Sequence, residues 1–296
     1  MKKHNYTRTN FRYYLQGKEY SHASIATYER FTDQFLEWLQ KENMRAEQVR
    51  YQDILLYMKH CSSKKNHSQR TVQHTIITLG HYFDYLQDTK QIEGNPTKGI
   101  KVQGVKRKTL YHILEPHELH AIYNSYGAET LSQKKNKVII GMLVYQGLKT
   151  EELDKLETKD VKLKEGKVEI AGSKKSNART LQLEAHQVLD VYEYVMQVRP
   201  QILDVTKQKT EKLFVSVEGG EKLRIDFLMA QLRKQNSKLE NADQLRASVI
   251  VKWLKQYNLR EVQYLAGHRY ISSTEAYKQN EMEGLSEEVM KFHPLG

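Results

Sequence analysis

The stretch LREVQYLAGHRYISSTEAY, residues 259–277, decides how this chain is read. It holds an apolar residue, a small residue and Gly-His (Leu265, Ala266, Gly267, His268), then a tyrosine, Tyr277, nine places after the histidine. Taken singly these are ordinary. The chain has 19 tyrosines and 12 histidines; a lone tyrosine is usually half-buried packing and a lone histidine a satisfied surface group. The stretch gains weight from its company. Three earlier segments carry cations in a set order: LVYQGLKTEELDKLETKDV (143–161), IAGSKKSNARTLQL (170–183) and DQLRASVIVKWL (243–254).

Around these segments the hydrophobic period changes twice. PHELHAIYNSYG (116–127) and KVIIGMLVYQGL (137–148) read as helices. Between 160 and 183 apolar and polar residues alternate around turn signals. Val161 and Leu163, Val168 and Ile170, and Leu181 and Leu183 predict a small antiparallel sheet. From His186 the pattern is mostly helical again, with breaks expected at Pro200 and Gly219-Gly220.

The first third reads as helical. In residues 21–43, Tyr28, Phe31, Phe35, Trp38 and Leu39 share one face, and Ser24 is the expected cap. In residues 71–87, Val72, Ile76, Leu79, Phe83 and Leu86 recur at helical spacing behind Ser68, a second cap. YQDILLYMKHC (51–61) is a shorter helix between them, followed by the basic turn SSKKNHSQR (62–70). Periodicity stops after Asn95-Pro96. The Gly- and Lys-rich run GIKVQGVKRKTL (99–110) has no apolar face and reads as a linker. The expected layout is a helical domain over 1–98, a basic linker over 99–113, and a mainly helical domain with a small sheet over 114–296. The fold class is thus mainly α with an α+β C-terminal domain.

Composition narrows the partners. Lys and Arg number 47 against 36 Asp and Glu, for a net charge of +11. Such a balance favours polyanions, nucleic acid first. Hydrophobic residues reach 39%, enough for a core, which excludes wholesale disorder. A single cysteine, Cys61, leaves no disulfide or Cys-based zinc site within one chain. The N-terminus is basic but lacks an apolar h-region, and no stretch approaches the ~18 apolar residues of a membrane span. A cytoplasmic protein is expected.

With all four segments in view, the chain resembles the tyrosine recombinase, or phage-integrase-like, family. Residues 259–277 resemble its Gly-His and Tyr pattern, 243–254 its His-x-x-Arg box, 143–161 its Gly-Leu-Arg-x-x-Glu-Leu box, and 170–183 its lysine-bearing strand-turn-strand. The resemblance is strong over about 114–280 and loose over the N-terminal helices, which are similar to a core-binding domain. It implies that Tyr277 is the nucleophile and that Arg246, His268 and Lys174 act on the phosphate, with Lys175 the neighbouring alternative to Lys174. Two positions depart from the pattern. Lys149 stands where the family has Arg, and Asp243 where it usually has His.

Those residue types suit the chemistry. A tyrosine oxygen displaces the 5′-oxygen from a phosphodiester and forms a covalent 3′-phosphotyrosyl link, which conserves the bond for rejoining. Negative charge gathers on the non-bridging oxygens, so cations must stand there beforehand. A guanidinium matches phosphate with a planar fork. A hairpin lysine can protonate the leaving oxygen. Lys149 keeps the charge and loses the fork. Asp243 repels a phosphate unless it pairs with Arg246 or Lys149, serves as base to Tyr277, or merely caps the following helix. No metal or other cofactor is required.

The resemblance implies a site-specific recombinase or integrase of a mobile element, cutting and rejoining duplex DNA. The runner-up is a catalytically degenerate DNA-binding relative serving as an accessory factor; Lys149 and Asp243 support it. A type IB topoisomerase would share the chemistry but not the site specificity. Expected DNA contacts are Lys64, Lys65 and Arg70 in the basic turn, Lys106, Arg107 and Lys108 in the linker, and Lys175, Arg179 and Arg269 near the site. The two-domain layout suits a clamp on duplex DNA. The resemblance further implies a homotetramer on DNA and leaves room for an accessory DNA-bending protein.

Overall fold

The computed structural model describes residues 2–63, 66–105, 112–218, 220 and 223–278. The chain forms two compact units, Met1–Thr109 and Leu110–Gly296.

The first unit is built from α1 (Lys2–Gly17), α2 (His22–Lys41), α3 (Tyr51–Ser63) and α4 (Gln69–Asp88). Two serines start the longer helices. The Ser21 hydroxyl accepts the Ser24 N–H at 3.2 Å, and Ser68 accepts the Thr71 N–H at 3.2 Å. The cap of α2 is therefore Ser21 and not Ser24, because Ser24 supplies the N–H rather than the acceptor. The core is aromatic. Phe35 and Trp38 from α2, Tyr57 from α3 and Phe83 from α4 close it, with Ile54, Leu79 and Leu86. Helix α1 adds Phe11 and Leu15, both fully buried; Phe11 meets Tyr82 edge-on at 5.3 Å. Arg12 forks onto the buried Glu29 carboxylate at 2.8 and 2.6 Å and joins α1 to α2.

The second unit carries α5 (Pro116–Asn124), α6 (Leu131–Val144), α7 (Thr150–Leu153), strands β1 (Val161–Lys162), β2 (Lys167–Ile170) and β3 (Arg179–Gln182), then α8 (Ala185–Glu193), α9 (Arg199–Thr206), α10 (Ile225–Gln235), α11 (Ala242–Gln256) and α12 (Leu259–Leu265). Residues 272–278 add a last described helical segment. The sheet is antiparallel in the order β1-β2-β3, with Val161 opposite Val168 and Val168 opposite Leu181. Val168, Ile170 and Leu181 face the core, and Glu169 and Thr180 face outward, the alternation that a half-solvated sheet requires. Helix α6 is buried from Val138 to Val144 and α11 from Gln244 to Val251.

Two local expectations change. Pro200 does not break the chain. A π turn over Tyr194–Val198 joins α8 to α9, with the Arg199 N–H reaching back to the Tyr194 carbonyl. Asp243 is not the cap of α11. That cap is Asn241, whose side chain accepts the Gln244 N–H at 3.0 Å. Lys64, Lys65, Lys106, Arg107, Lys108 and Gly219 lie outside the described residues. No described helix is long and apolar enough to cross a membrane.

Candidate active site

Two glycine turns bring the motifs together in the second unit. Gly267 ends α12 with φ +64. Its N–H bonds the Tyr264 carbonyl at 2.8 Å, and the His268 N–H bonds the Gln263 carbonyl at 3.0 Å. This reversal is a Schellman closure, which needs a left-handed residue after the cap. A side chain at 267 would also strike Arg179, since a Cβ there would lie 2.5 Å from Nη1. Gly147 turns the same way after α6, with φ +57. Arg246, buried in α11, ties the two turns. Its Nη1 donates to the Gly147 carbonyl and its Nη2 to the Ala266 carbonyl, both at 2.5 Å.

His268 is buried and its Nδ1 lies 2.9 Å from Thr274 Oγ1. Thr274 is fully buried in the segment 272–278, three residues before Tyr277. The same segment lays the half-buried Tyr277 ring on the imidazole, with centroids 5.7 Å apart and planes at 12°. Lys149, half-buried, precedes α7, and its N–H donates to Glu152 Oε2 at 2.9 Å. Both oxygens of the Glu152 carboxylate also accept the Arg179 guanidinium in a fork, each bond 2.9 Å.

The charges act on one another. His268 is pushed down to about 4, first by burial, then by Arg246, Lys149 and Arg179; at neutral pH the imidazole is uncharged. Burial, then Arg246, lowers the Lys149 amine, with Glu152 opposing. Burial also lowers Arg246, with Glu152, Tyr277 and Asp243 acting the other way. Burial works against the Glu152 carboxylate, yet its bonds to Arg179 and the Lys149 N–H hold it below the usual range. The result is that Arg246, Lys149 and Arg179 act on one neutral imidazole with a phenol stacked on it, a charge balance suited to an anion such as a phosphodiester.

Lys149, Arg246, His268 and Tyr277 come together in this way. Lys174 and Lys175 are exposed in the turn between β2 and β3. That turn docks on the histidine segment: the Asn177 N–H donates to the Gly267 carbonyl at 3.0 Å, and Asn177 Nδ2 to the His268 carbonyl at 3.2 Å. Asp243 is exposed in the first turn of α11. Arg269 is exposed and donates Nη1 to the Lys174 carbonyl at 2.6 Å. Arg70 is exposed in the first turn of α4.

Arg179 does not fit its expected place on DNA. Its side chain is 0% exposed, held by Glu152, with Nε buried and unpartnered among the described residues. The sequence presented it as another basic hairpin residue, but Arg179 sits opposite Ile170 on the inward face of β3. Its place in the strand alternation, apolar neighbours facing in, was the available signal. Glu152 both closes the first turn of α7 through the Lys149 N–H and holds the Arg179 guanidinium. Thr274 and Asn177 were missed. Thr274 stood three residues before Tyr277, a helical spacing that could have marked it.

Residues 112–283 match the phage integrase family, and residues 9–90 match the phage integrase N-terminal SAM-like domain. The tyrosine recombinase XerC of Anoxybacillus flavithermus is 24% identical over 98% of this chain and 98% of its own. That of Bacillus subtilis is 26% identical over 95% and 94%. Among solved structures, the XerH site-specific recombinase bound to palindromic difH substrate has a TM-score of 0.69 at 20% identity, covering 89% of this chain and 79% of that one. A lambda integrase dimer bound to a COC′ core site has 0.67 at 13%, covering 94% and 77%. These likenesses carry the fold: a helical N-terminal unit and a mainly helical C-terminal unit with one small sheet.

Proposed function

The chain belongs to the phage integrase family, and on that premise we propose that it is a site-specific recombinase whose nucleophile is Tyr277. The observation that carries the reading is the Tyr277 phenol stacked on a neutral His268, beside the buried Arg246. The Tyr277 oxygen attacks the phosphorus, the O–P bond forms, and the bond from phosphorus to the 5′-oxygen breaks. The phenolic proton is lost to water. The Lys174 ammonium gives a proton to the departing 5′-oxygen. Arg246 and Lys149 bear the charge that builds on the non-bridging oxygens, and His268 donates one hydrogen bond to them. Lys175 and Arg70 contact flanking phosphates. Duplex DNA is the substrate, and the working assembly is a homotetramer on paired sites, with an accessory DNA-bending protein as a further partner. The setting is cytoplasmic.

The replacements at 149 and 243 favour one second reading, a DNA-binding relative with weakened or lost chemistry. Asp243 is exposed one helical turn before Arg246 and bears on its charge. A nicked suicide duplex, cut from the DNA that flanks the gene, separates the two. The recombinase forms a protein–DNA band stable to denaturant with the parent, and none with Tyr277→Phe, while both bind DNA alike. The degenerate binder gives no band with the parent and gains one as Lys149→Arg with Asp243→His.

A further inference from the structure

The turn that carries Lys174 is held on the His268 segment by a residue with no assigned role there. The turn closes on itself: the Ser173 N–H bonds the Ser176 carbonyl at 2.8 Å, and Ser173 Oγ accepts the Lys175 and Ser176 N–H groups at 3.1 Å. Those bonds fix the turn's shape but not its direction. Direction comes from three ties to residues 267–269. Two use Asn177, on the Gly267 and His268 carbonyls. The third is the Arg269 guanidinium on the carbonyl of Lys174 itself, at 2.6 Å. A charged donor on a carbonyl makes a stronger bond than a neutral one, and this one lands on the residue whose side chain must reach the leaving oxygen.

Gly267 and His268 are anchored in turn by the Schellman closure, and Arg246 grips the adjacent Ala266 carbonyl. Tying Lys174 to this segment therefore ties the proton donor to the same rigid frame as His268 and Arg246. Proton transfer is sensitive to such placement, since donor and acceptor must lie within hydrogen-bond reach.

We propose that Arg269 is a positioning residue for strand cleavage, acting through the Lys174 carbonyl to aim the lysine that protonates the 5′-oxygen. The proposal rests on the recombinase reading above and goes beyond it. Arg269 touches no reacting atom. Loss of Arg269 leaves the Asn177 ties in place but frees the Lys174 carbonyl itself, so the step that suffers is proton delivery to the leaving group. Lys175, whose N–H is bound inside the turn, is not aimed by this contact.

A leaving group that needs no proton provides the test. Suicide duplexes are made with the ordinary 5′-oxygen and with a bridging 5′-sulfur at the cut, since a thiolate departs unprotonated. Adduct formation is timed for the parent, Arg269→Ala, Arg269→Lys, Lys174→Ala and Lys149→Ala, with DNA affinity measured alongside. Arg269→Ala is expected to slow the oxygen substrate about 10- to 100-fold, the range for losing one charge-assisted hydrogen bond. It should cleave the sulfur substrate within about threefold of the parent. Lys174→Ala should show the same rescue, Arg269→Lys an intermediate rate, and Lys149→Ala no rescue. Equal slowing of Arg269→Ala on both substrates overturns the proposal, because Arg269 then supports the site or the DNA in general. So does a loss of DNA affinity that accounts for the slowing. A parent that forms adduct with neither substrate sinks the recombinase reading itself, and this proposal with it.

Discussion

At the scale of single residues, the departure at 149 is the sharpest question. Lys149 sits beside Arg246 with a charge but no fork, and burial lowers its amine. Lys149→Ala should slow cleavage about 100-fold or more, the usual effect of losing one transition-state donor, with little change in DNA affinity. Lys149→Arg should hold or raise the rate, because the bidentate contact returns. Single-turnover rates on the suicide duplex check both. His268 gives a second residue-scale outcome. Unfolded, it takes a proton near its ordinary 6.5; folded, near about 4. It therefore adds stability above the ordinary pKa, and loses that contribution as pH falls from 6.5 toward 4. The amount is on the order of 1–3 kcal/mol. Urea midpoints across this range should fall more steeply for the parent than for His268→Gln; parallel curves would contradict the buried neutral imidazole. Tyr277, His268, Arg246 and Lys149 were readable because ordered motifs fix them along the chain. Arg179 was misread because a basic residue in a hairpin looks the same in sequence whether its strand face points in or out.

At the scale of elements, Gly267 does two things at once. It supplies the left-handed residue that closes α12, and it leaves room for the Arg179 guanidinium. Gly267→Ala should destabilise the protein by at least about 1–2 kcal/mol from backbone conformation alone. The clash with Arg179 adds to that and disturbs the His268 turn. Gly94→Ala, where a Cβ meets nothing within 4 Å, is the matched control and should change the thermal midpoint little. Equal midpoints for the two would contradict the proposed double role. The strands and amphipathic helices were legible because their periods are local properties of the sequence. Caps were less so. Ser21 and Ser24 are both cap-forming residues three apart, and only the backbone path decides which accepts the bond. Likewise Asn241 took the place expected for Asp243. Helix α1 escaped notice because its basic start hides the two anchors, Phe11 and Leu15, that its packing uses.

At the scale of the whole molecule, the excess of 47 basic over 36 acidic residues sets how binding responds to salt. Each phosphate neutralised on duplex DNA contributes about −0.9 to the slope of log K against log salt. The slope should therefore be steep, and affinity that barely changes between low and moderate salt would contradict a backbone-gripping protein. The order of the four motifs along one chain made the family readable, since no single motif carries it; the placement of Lys174 relative to His268 was not readable, because it depends on contacts between residues 95 positions apart. The central claim is that Tyr277 becomes joined to DNA, and mapping the joined residue tests it most directly. The adduct is formed on a suicide duplex, trimmed with nuclease and digested with trypsin, and the peptide between Arg269 and Lys278 is fragmented by mass spectrometry. The expected result is a nucleotide mass on Tyr277 and none on Tyr270, the other tyrosine of that peptide. A nucleotide on any other residue would contradict the claim.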